Sequence, residues 1–118
     1  EELTQNLGLP VAIEGHYPTA GVPYLVDSWK GYQLLLESNA YFAVDLSHLN
    51  IIAAKTGQIE SMLTAELLAC DRCVEIHLSA NNGERDEHLQ LSCAPWWLSL
   101  LSHRNSSATL FYEGRLSR

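Results

Sequence analysis

The chain has 118 residues, of which 47% are hydrophobic, and a formal net charge of −7 at pH 7. This length and composition predict one soluble, acidic domain with a single hydrophobic core. Seven Lys and Arg side chains against 14 Asp and Glu are too few to build the basic patch that nucleic acid or an anionic membrane requires. The apolar runs are also far shorter than the roughly 20 residues of a membrane-spanning helix.

The N-terminal residues and the cysteines indicate a compartment. Residues 1–5 are acidic and lack the apolar stretch of a secretion signal, and three cysteines, an odd number, favour reduced thiols over a disulfide framework. Both features predict a cytoplasmic protein. Residues 1–7 have the pattern of the end of a helix without its beginning, which predicts that the chain is part of something longer.

Four short apolar segments have the composition of strands. Each is closed by a turn signal or a polar side chain, and we predict strands over residues 10–15, 41–45, 73–79 and 107–113. The strand starts are about 30 residues apart, which is the period of a βα unit.

Helical spacing of apolar residues fills each gap between the predicted strands. Asp27 or Ser28 supplies an N-cap for a helix over residues 29–38, and Gly57 opens a second helix over residues 58–69. Pro95 stands at the first position of a third helix, over residues 96–103. Alternating strands and helices predict an α/β fold with a parallel sheet.

Acidic or imidazole side chains stand at or near the ends of the four predicted strands: Glu14, Asp45, His77 and Glu113. Taken singly, each is more simply a surface or capping group. However, a charge that ends a buried strand is costly, and the carboxyl ends of parallel strands meet at one mouth. Oxygen and nitrogen donors in this pattern predict a site for a divalent ion, which could be Mn, Mg, Fe, Co or Zn.

A second set of polar side chains surrounds the same strand ends. His48 follows Asp45 by three residues, and Asp86 and His88 are two apart, so they point the same way in an extended segment. They predict a second metal or support for the first ligands. Arg85 is a candidate for binding a substrate carboxylate or phosphate, although this segment could also be a solvated charged loop. His16, two residues after Glu14, is a further substrate-binding candidate because it could line the mouth.

Three motifs resemble the C-terminal half of the xylose-isomerase-like TIM barrels: Val-Asp45-Leu-Ser-His48, Glu-Ile-His77-Leu-Ser-Ala-Asn-Asn-Gly-Glu-Arg-Asp86-Glu-His88-Leu, and Phe-Tyr-Glu113-Gly. That superfamily includes sugar isomerases and epimerases, AP endonucleases and iron enzymes that modify peptides. The resemblance implies that residues 1–118 form a single half-barrel segment, strands five to eight of a (β/α)8 barrel. Because a half barrel leaves open sheet edges and an apolar face, we expect missing N-terminal strands, a complementary second chain or a homo-oligomer to complete it.

The resemblance also implies roles for individual residues. In the ketose epimerases the matching positions are the four metal ligands, here Glu14, Asp45, His77 and Glu113. Glu14 and Glu113 would also be catalytic, exchanging a proton with the substrate through a metal-bound ene-diolate. His48 and Arg85 would contact substrate oxygens. In the AP endonucleases, the positions that match His48, Asp86 and His88 bind further metal ions.

The sequence therefore predicts a divalent-metal-dependent isomerase or epimerase that acts on a small sugar or sugar phosphate, without nucleic-acid or membrane partners. Three alternatives stay open. The first is an iron-dependent oxygenase that modifies a peptide, the second is an AP-endonuclease-like phosphodiesterase, which the acidic composition disfavours, and the third is a non-catalytic scaffold.

Overall fold

The computed structural model describes residues 12–22, 24–91 and 93–114. Its strands are β1 (Ala12–Glu14), β2 (Tyr41–Asp45), β3 (Cys73–Leu78) and β4 (Thr109–Tyr112). Its helices are α1 (Trp29–Glu37), α2 (Leu46–Thr56), α3 (Ser61–Ala69) and a 3-10 helix (Leu98–His103). The four strands form one parallel sheet in the order β1-β2-β3-β4, which confirms the prediction of a mixed α/β fold.

The hydrophobic core lies between the helices and one face of the sheet. Phe42 and Val44 alternate along β2, Ile76 pairs with Val44 on β3, and all three are fully buried. They pack with apolar side chains of the helices, among them Leu49 and Leu67. Because side chains alternate across a strand, Asp45 and His77, which are register partners, lie on the opposite face.

Helix α1 matches its prediction closely. The Ser28 side chain caps its N-terminus by accepting a hydrogen bond from the backbone N–H of Gly31, and Glu37 is its last residue. Tyr32 and Leu35 are its buried residues, so the helical spacing of apolar side chains marks the face that packs on the core.

The helix predicted over residues 58–69 is present as α3 (Ser61–Ala69), but the prediction that Gly57 opens it is wrong. Gly57 instead ends α2, where it adopts a left-handed conformation (φ 70°) and its N–H donates to the carbonyl of Ala53. Helix α3 then begins at Ser61. Helix α2 was not predicted because it starts at Leu46, directly after β2, without a turn signal between them. Asp45 both ends the strand and caps the helix. The third predicted helix begins later than expected, at Leu98, as a 3-10 helix.

Both edge strands are open in the described part of the chain, where no further strand pairs with β1 or β4. Leu110, Phe111 and Tyr112 of β4 are 39%, 42% and 53% exposed. No helix within the described ranges is long and apolar enough to cross a membrane. The helical pattern over residues 1–7 and the first two residues of the predicted strand over 10–15 lie outside the described residues.

Candidate metal centre

The carboxyl ends of the four strands and the segments that follow them line one cavity of about 310 Å³. It brings together eight of the nine candidate residues identified in the sequence: Glu14, His16, Asp45, His48, His77, Asp86, His88 and Glu113. Tyr17, Thr19 and Tyr24 complete the lining. Arg85, the ninth candidate, is exposed and is not part of the lining.

Two groups of potential ligands in this cavity share Asp45. Ligand atoms of Glu14, Asp45 and His48 lie within 4.8 Å of one another, and so do those of Asp45, His77 and Glu113. Asp45 is buried, whereas Glu14 and Glu113 are exposed. Each group contains two carboxylates and one imidazole, a donor set that suits divalent ions such as Mn²⁺, Fe²⁺ and Zn²⁺. The donors present therefore fit the ion that the sequence predicts.

Asp45 has a structural role and leaves one oxygen for the cavity. Its Oδ1 accepts hydrogen bonds from the backbone N–H of Ser47, at 3.0 Å, and from the Ser47 hydroxyl. Its Oδ2 lies 3.3 Å from Nε2 of His48. One carboxylate oxygen thus caps helix α2 while the other faces the candidate ligands.

His48 is held with Nε2 towards two carboxylates. Its Nδ1 lies 2.9 Å from the carbonyl oxygen of Gly15, which can only accept, so Nδ1 carries the proton of that bond. Its Nε2 then lies 3.0 Å from Oδ2 of Asp86 and 3.3 Å from Oδ2 of Asp45. Nε2 is therefore the ring nitrogen that faces the cavity, beside two carboxylate oxygens, and it is the one available to a metal ion.

A hairpin-like return brings Asp86 and His88 back to His48. Ala80 and Leu89 form an antiparallel bridge with N–O distances of 2.7 and 2.8 Å. Nε2 of His88 lies 3.2 Å from Oδ2 of Asp86, the same oxygen that contacts His48. His88 has a φ of 52°, a left-handed conformation that is uncommon for residues other than glycine. Such backbone strain is more frequent at functional sites than elsewhere.

Carboxylates contact both ring nitrogens of His77. Nδ1 lies 2.8 Å from Oε1 of Glu113, and Nε2 lies 2.9 Å from Oε1 of Glu75. Burial lowers the pKa of His77, but the hydrogen bonds to Glu75 and Glu113 and the charges of Glu113 and Asp45 outweigh it. The net effect raises its pKa above the ordinary value of 6.5.

Aromatic side chains of the segment after β1 line part of the cavity, next to His48. The rings of His16 and Tyr24 stack with centroids 4.0 Å apart, and Tyr17 meets His48 edge-on at 4.9 Å. The hydroxyl of Tyr32, which is fully buried in α1, donates to the carbonyl of His16 at 2.9 Å and anchors this segment. Burial is the main cause that raises the pKa of Tyr32, followed by the charge of Asp45.

Sequence reasoning missed several residues of this site. Glu75 escaped notice although it stands two positions before His77, a spacing that places both on one face of a strand. Tyr24 and the carbonyl of Gly15 carry no signal in the sequence, because the fold of the segment after β1 brings them to the cavity.

Comparison with protein-family models, with curated proteins and with solved structures found no match.

Proposed function

We propose that the chain carries the metal-binding part of a divalent-metal-dependent enzyme that isomerises or epimerises a sugar by proton transfer. One observation supports this proposal, namely that each strand brings a potential ligand to the same cavity: Glu14, Asp45, His77 and Glu113. Active sites lie at the carboxyl ends of the strands in parallel α/β barrels, and metal ligands from separate strands are typical of such sites.

The sheet supports a finer proposal for the fold, half of a (β/α)8 barrel. Its four strands are parallel and adjacent in chain order, with helical segments between them, as consecutive strands of a barrel are. The open edge of β4 carries exposed apolar side chains, which soluble proteins normally cover. We propose that further strands close the barrel, supplied by the same polypeptide, a complementary chain or a second copy.

Glu14 ends one edge strand, β1, and Glu113 follows the other, β4, so Asp45 and His77 of the central strands lie between them along the sheet. A divalent ion held by Asp45, His77 and Glu113 would polarise the carbonyl and hydroxyl oxygens of a bound sugar. One glutamate then takes the proton from the carbon beside the carbonyl, and the other, protonated beforehand, delivers its own proton to the opposite face. The configuration at that carbon is inverted, and the two glutamates exchange protonation states.

Charge in the cavity favours a neutral sugar over a sugar phosphate. The described lining contains four carboxylates and neither Lys nor Arg. A phosphate group would be repelled there, whereas hydroxyl groups can donate hydrogen bonds to carboxylates. Because Arg85 is exposed outside this lining, its predicted role in binding phosphate gains no support from its position.

Metal titration tests the proposed centre. Mn²⁺ binding, followed by its electron paramagnetic resonance signal, should give one tight site in the wild type, and Asp45→Ala should lose it. Asp71→Ala removes an exposed carboxylate in the turn before β3 and is the matched control, which should bind as the wild type does. Equal binding by the wild type and Asp45→Ala would reject the centre.

Proton exchange tests the reaction. Unmodified ketoses incubated with the Mn²⁺-loaded protein in D₂O should gain deuterium at the carbon beside the carbonyl, as seen by proton NMR. Glu113→Gln should stop this exchange because the amide cannot accept the proton. Exchange that persists in this variant would reject the role of Glu113, and a ketose phosphate that exchanges faster than its unmodified ketose would contradict the neutral substrate.

The arrangement of His48, Asp86 and His88 favours a second candidate, an iron-dependent oxygenase that modifies a peptide. A one-ion isomerase does not explain why two imidazole nitrogens converge on the same Asp86 oxygen, at 3.0 and 3.2 Å. In the described residues these three side chains do not form a compact group of potential ligands, so a further ion would have to draw them closer together. Elemental analysis separates the candidates: two or more irons, with one lost in His88→Ala, support the oxygenase, whereas one ion that His88→Ala retains supports the isomerase.

A further inference from the structure

Glu75 stands behind His77, on the side of the imidazole that faces away from the other ligands. Both residues are on β3, two positions apart, so they share a face of the sheet. The register partners of Glu75 are Ala43 on β2 and Thr109 on β4, both smaller than the glutamate. These small neighbours leave room for the Glu75 side chain to lie along the strand and reach His77.

The two nitrogens of His77 face different surroundings. Nδ1 contacts Glu113, which together with Asp45 and His77 forms one of the two groups of potential ligands. Nε2 contacts Glu75 at 2.9 Å, and Glu75 belongs to neither ligand group and does not line the cavity. Nδ1 is therefore the nitrogen available to a metal ion, and Nε2 carries the proton that Glu75 accepts.

We infer that Glu75 is a positioning residue, whose carboxylate accepts the Nε2 proton of His77 and so holds Nδ1 towards the metal beside Asp45 and Glu113. A histidine ligand whose second nitrogen donates to a carboxylate has a fixed tautomer and ring orientation and is a stronger ligand. This inference rests on the proposed metal centre, and it assigns to that centre a residue outside the ligand set.

The test compares Zn²⁺ affinity among variants of the full chain. Glu75→Ala should bind Zn²⁺ about 10- to 100-fold more weakly than the wild type, the usual effect of removing such a partner. Glu75→Gln keeps an oxygen acceptor and should recover part of the loss. Glu66→Ala, which removes an exposed glutamate of α3, is the matched control and should bind as the wild type does.

A spectroscopic readout separates positioning from general damage. In ¹⁵N-labelled, Zn²⁺-loaded wild type, long-range ¹H–¹⁵N correlation spectra should show His77 with a metal-bound Nδ1 and a protonated Nε2. Circular dichroism should show the metal-free Glu75→Ala variant folded, because the side chain of Glu75 is 45% exposed and exposed pairs contribute little to stability.

Several results would overturn the inference. One is coordination of the metal through Nε2 of His77. The others are a Zn²⁺ affinity of Glu75→Ala equal to that of the wild type, a Zn²⁺ affinity of Glu66→Ala as low as that of Glu75→Ala, and a Zn²⁺ affinity of Glu75→Gln no higher than that of Glu75→Ala. If the wild type binds no Zn²⁺, the proposed metal centre fails as well. If the wild type binds Zn²⁺ through Asp45 but is indifferent to Glu75, only the positioning role fails.

Discussion

Replacing Asp45 by Asn and by Ala should separate its structural role from its role as a ligand. Asp45→Ala removes both hydrogen bonds from Ser47 and leaves that buried N–H without its acceptor. Loss of an N-cap costs about 1 kcal/mol, and an unsatisfied buried donor brings the total to roughly 2 kcal/mol. Asp45→Asn keeps an oxygen at Oδ1 and should cost less than about 0.5 kcal/mol.

Thermal unfolding of the metal-free protein in EDTA, followed by circular dichroism, measures this difference. For a chain of this size 1 kcal/mol corresponds to about 4 °C, so Asp45→Ala should melt roughly 8 °C below the wild type and Asp45→Asn within about 2 °C of it. Both variants should lose Mn²⁺ binding, since neither retains the carboxylate charge. Equal melting temperatures for the two variants would refute the capping role, and retained Mn²⁺ binding in Asp45→Asn would refute the ligand role.

Three further predictions follow from the packing around the site. A Cβ at Gly15 would overlap the ring of Tyr32, so Gly15→Ala should lower stability by roughly 1 to 3 kcal/mol in urea titration, and an unchanged midpoint would mean that the ring moves aside. Burial raises the pKa of the Cys73 thiol to about 12, so its thiolate fraction at pH 8 is on the order of 10⁻⁴. Exposed Cys93 should therefore react with iodoacetamide at least about 100-fold faster than Cys73 does. Equal rates would contradict the burial of Cys73. The Arg72 guanidinium donates hydrogen bonds to two backbone carbonyls. The free energy of unfolding should therefore fall by about 2 kcal/mol in Arg72→Ala and by about half of that in Arg72→Lys. Equal losses in the two variants would show that these hydrogen bonds do not contribute to stability.

The strands could be predicted from the sequence because their signals are local. In β2, a run of apolar residues ends in Asp45, and the predicted and observed boundaries agree. Helix α2 could not be predicted in the same way, because it follows β2 without a loop and its buried residues are distributed around it. Buried Ser47 and His48 break the helical spacing of apolar side chains, and both face the site rather than the core.

Some residues of the cavity could likewise be predicted from the sequence, and others could not. Glu14, His77 and Glu113 could be identified because the sequence shows polar residues at or near the ends of the predicted strands. A parallel sheet brings those strand ends together. Tyr24 could not be identified, because its position depends on how the segment after β1 folds back, and Glu75 was overlooked because its spacing from His77 shows a shared strand face but not a contact. Local signals thus identified the candidate ligands, whereas the residues around them emerged only from tertiary contacts.

The cavity concentrates negative charge in a way that favours a bound cation. Ligand atoms of Asp45 lie within 4.8 Å of those of both Glu14 and Glu113. Two like charges at that distance repel by about 1 kcal/mol in a water-like medium and about 3 kcal/mol in a partly buried one, and the exposure of both glutamates places these pairs nearer the lower figure. His48 and His77 each place a ring nitrogen within 3.0 Å of a carboxylate oxygen in the same cavity. A divalent ion bound beside Asp45, in either group of potential ligands, would offset the repulsion between the carboxylates, which is consistent with the proposed metal centre.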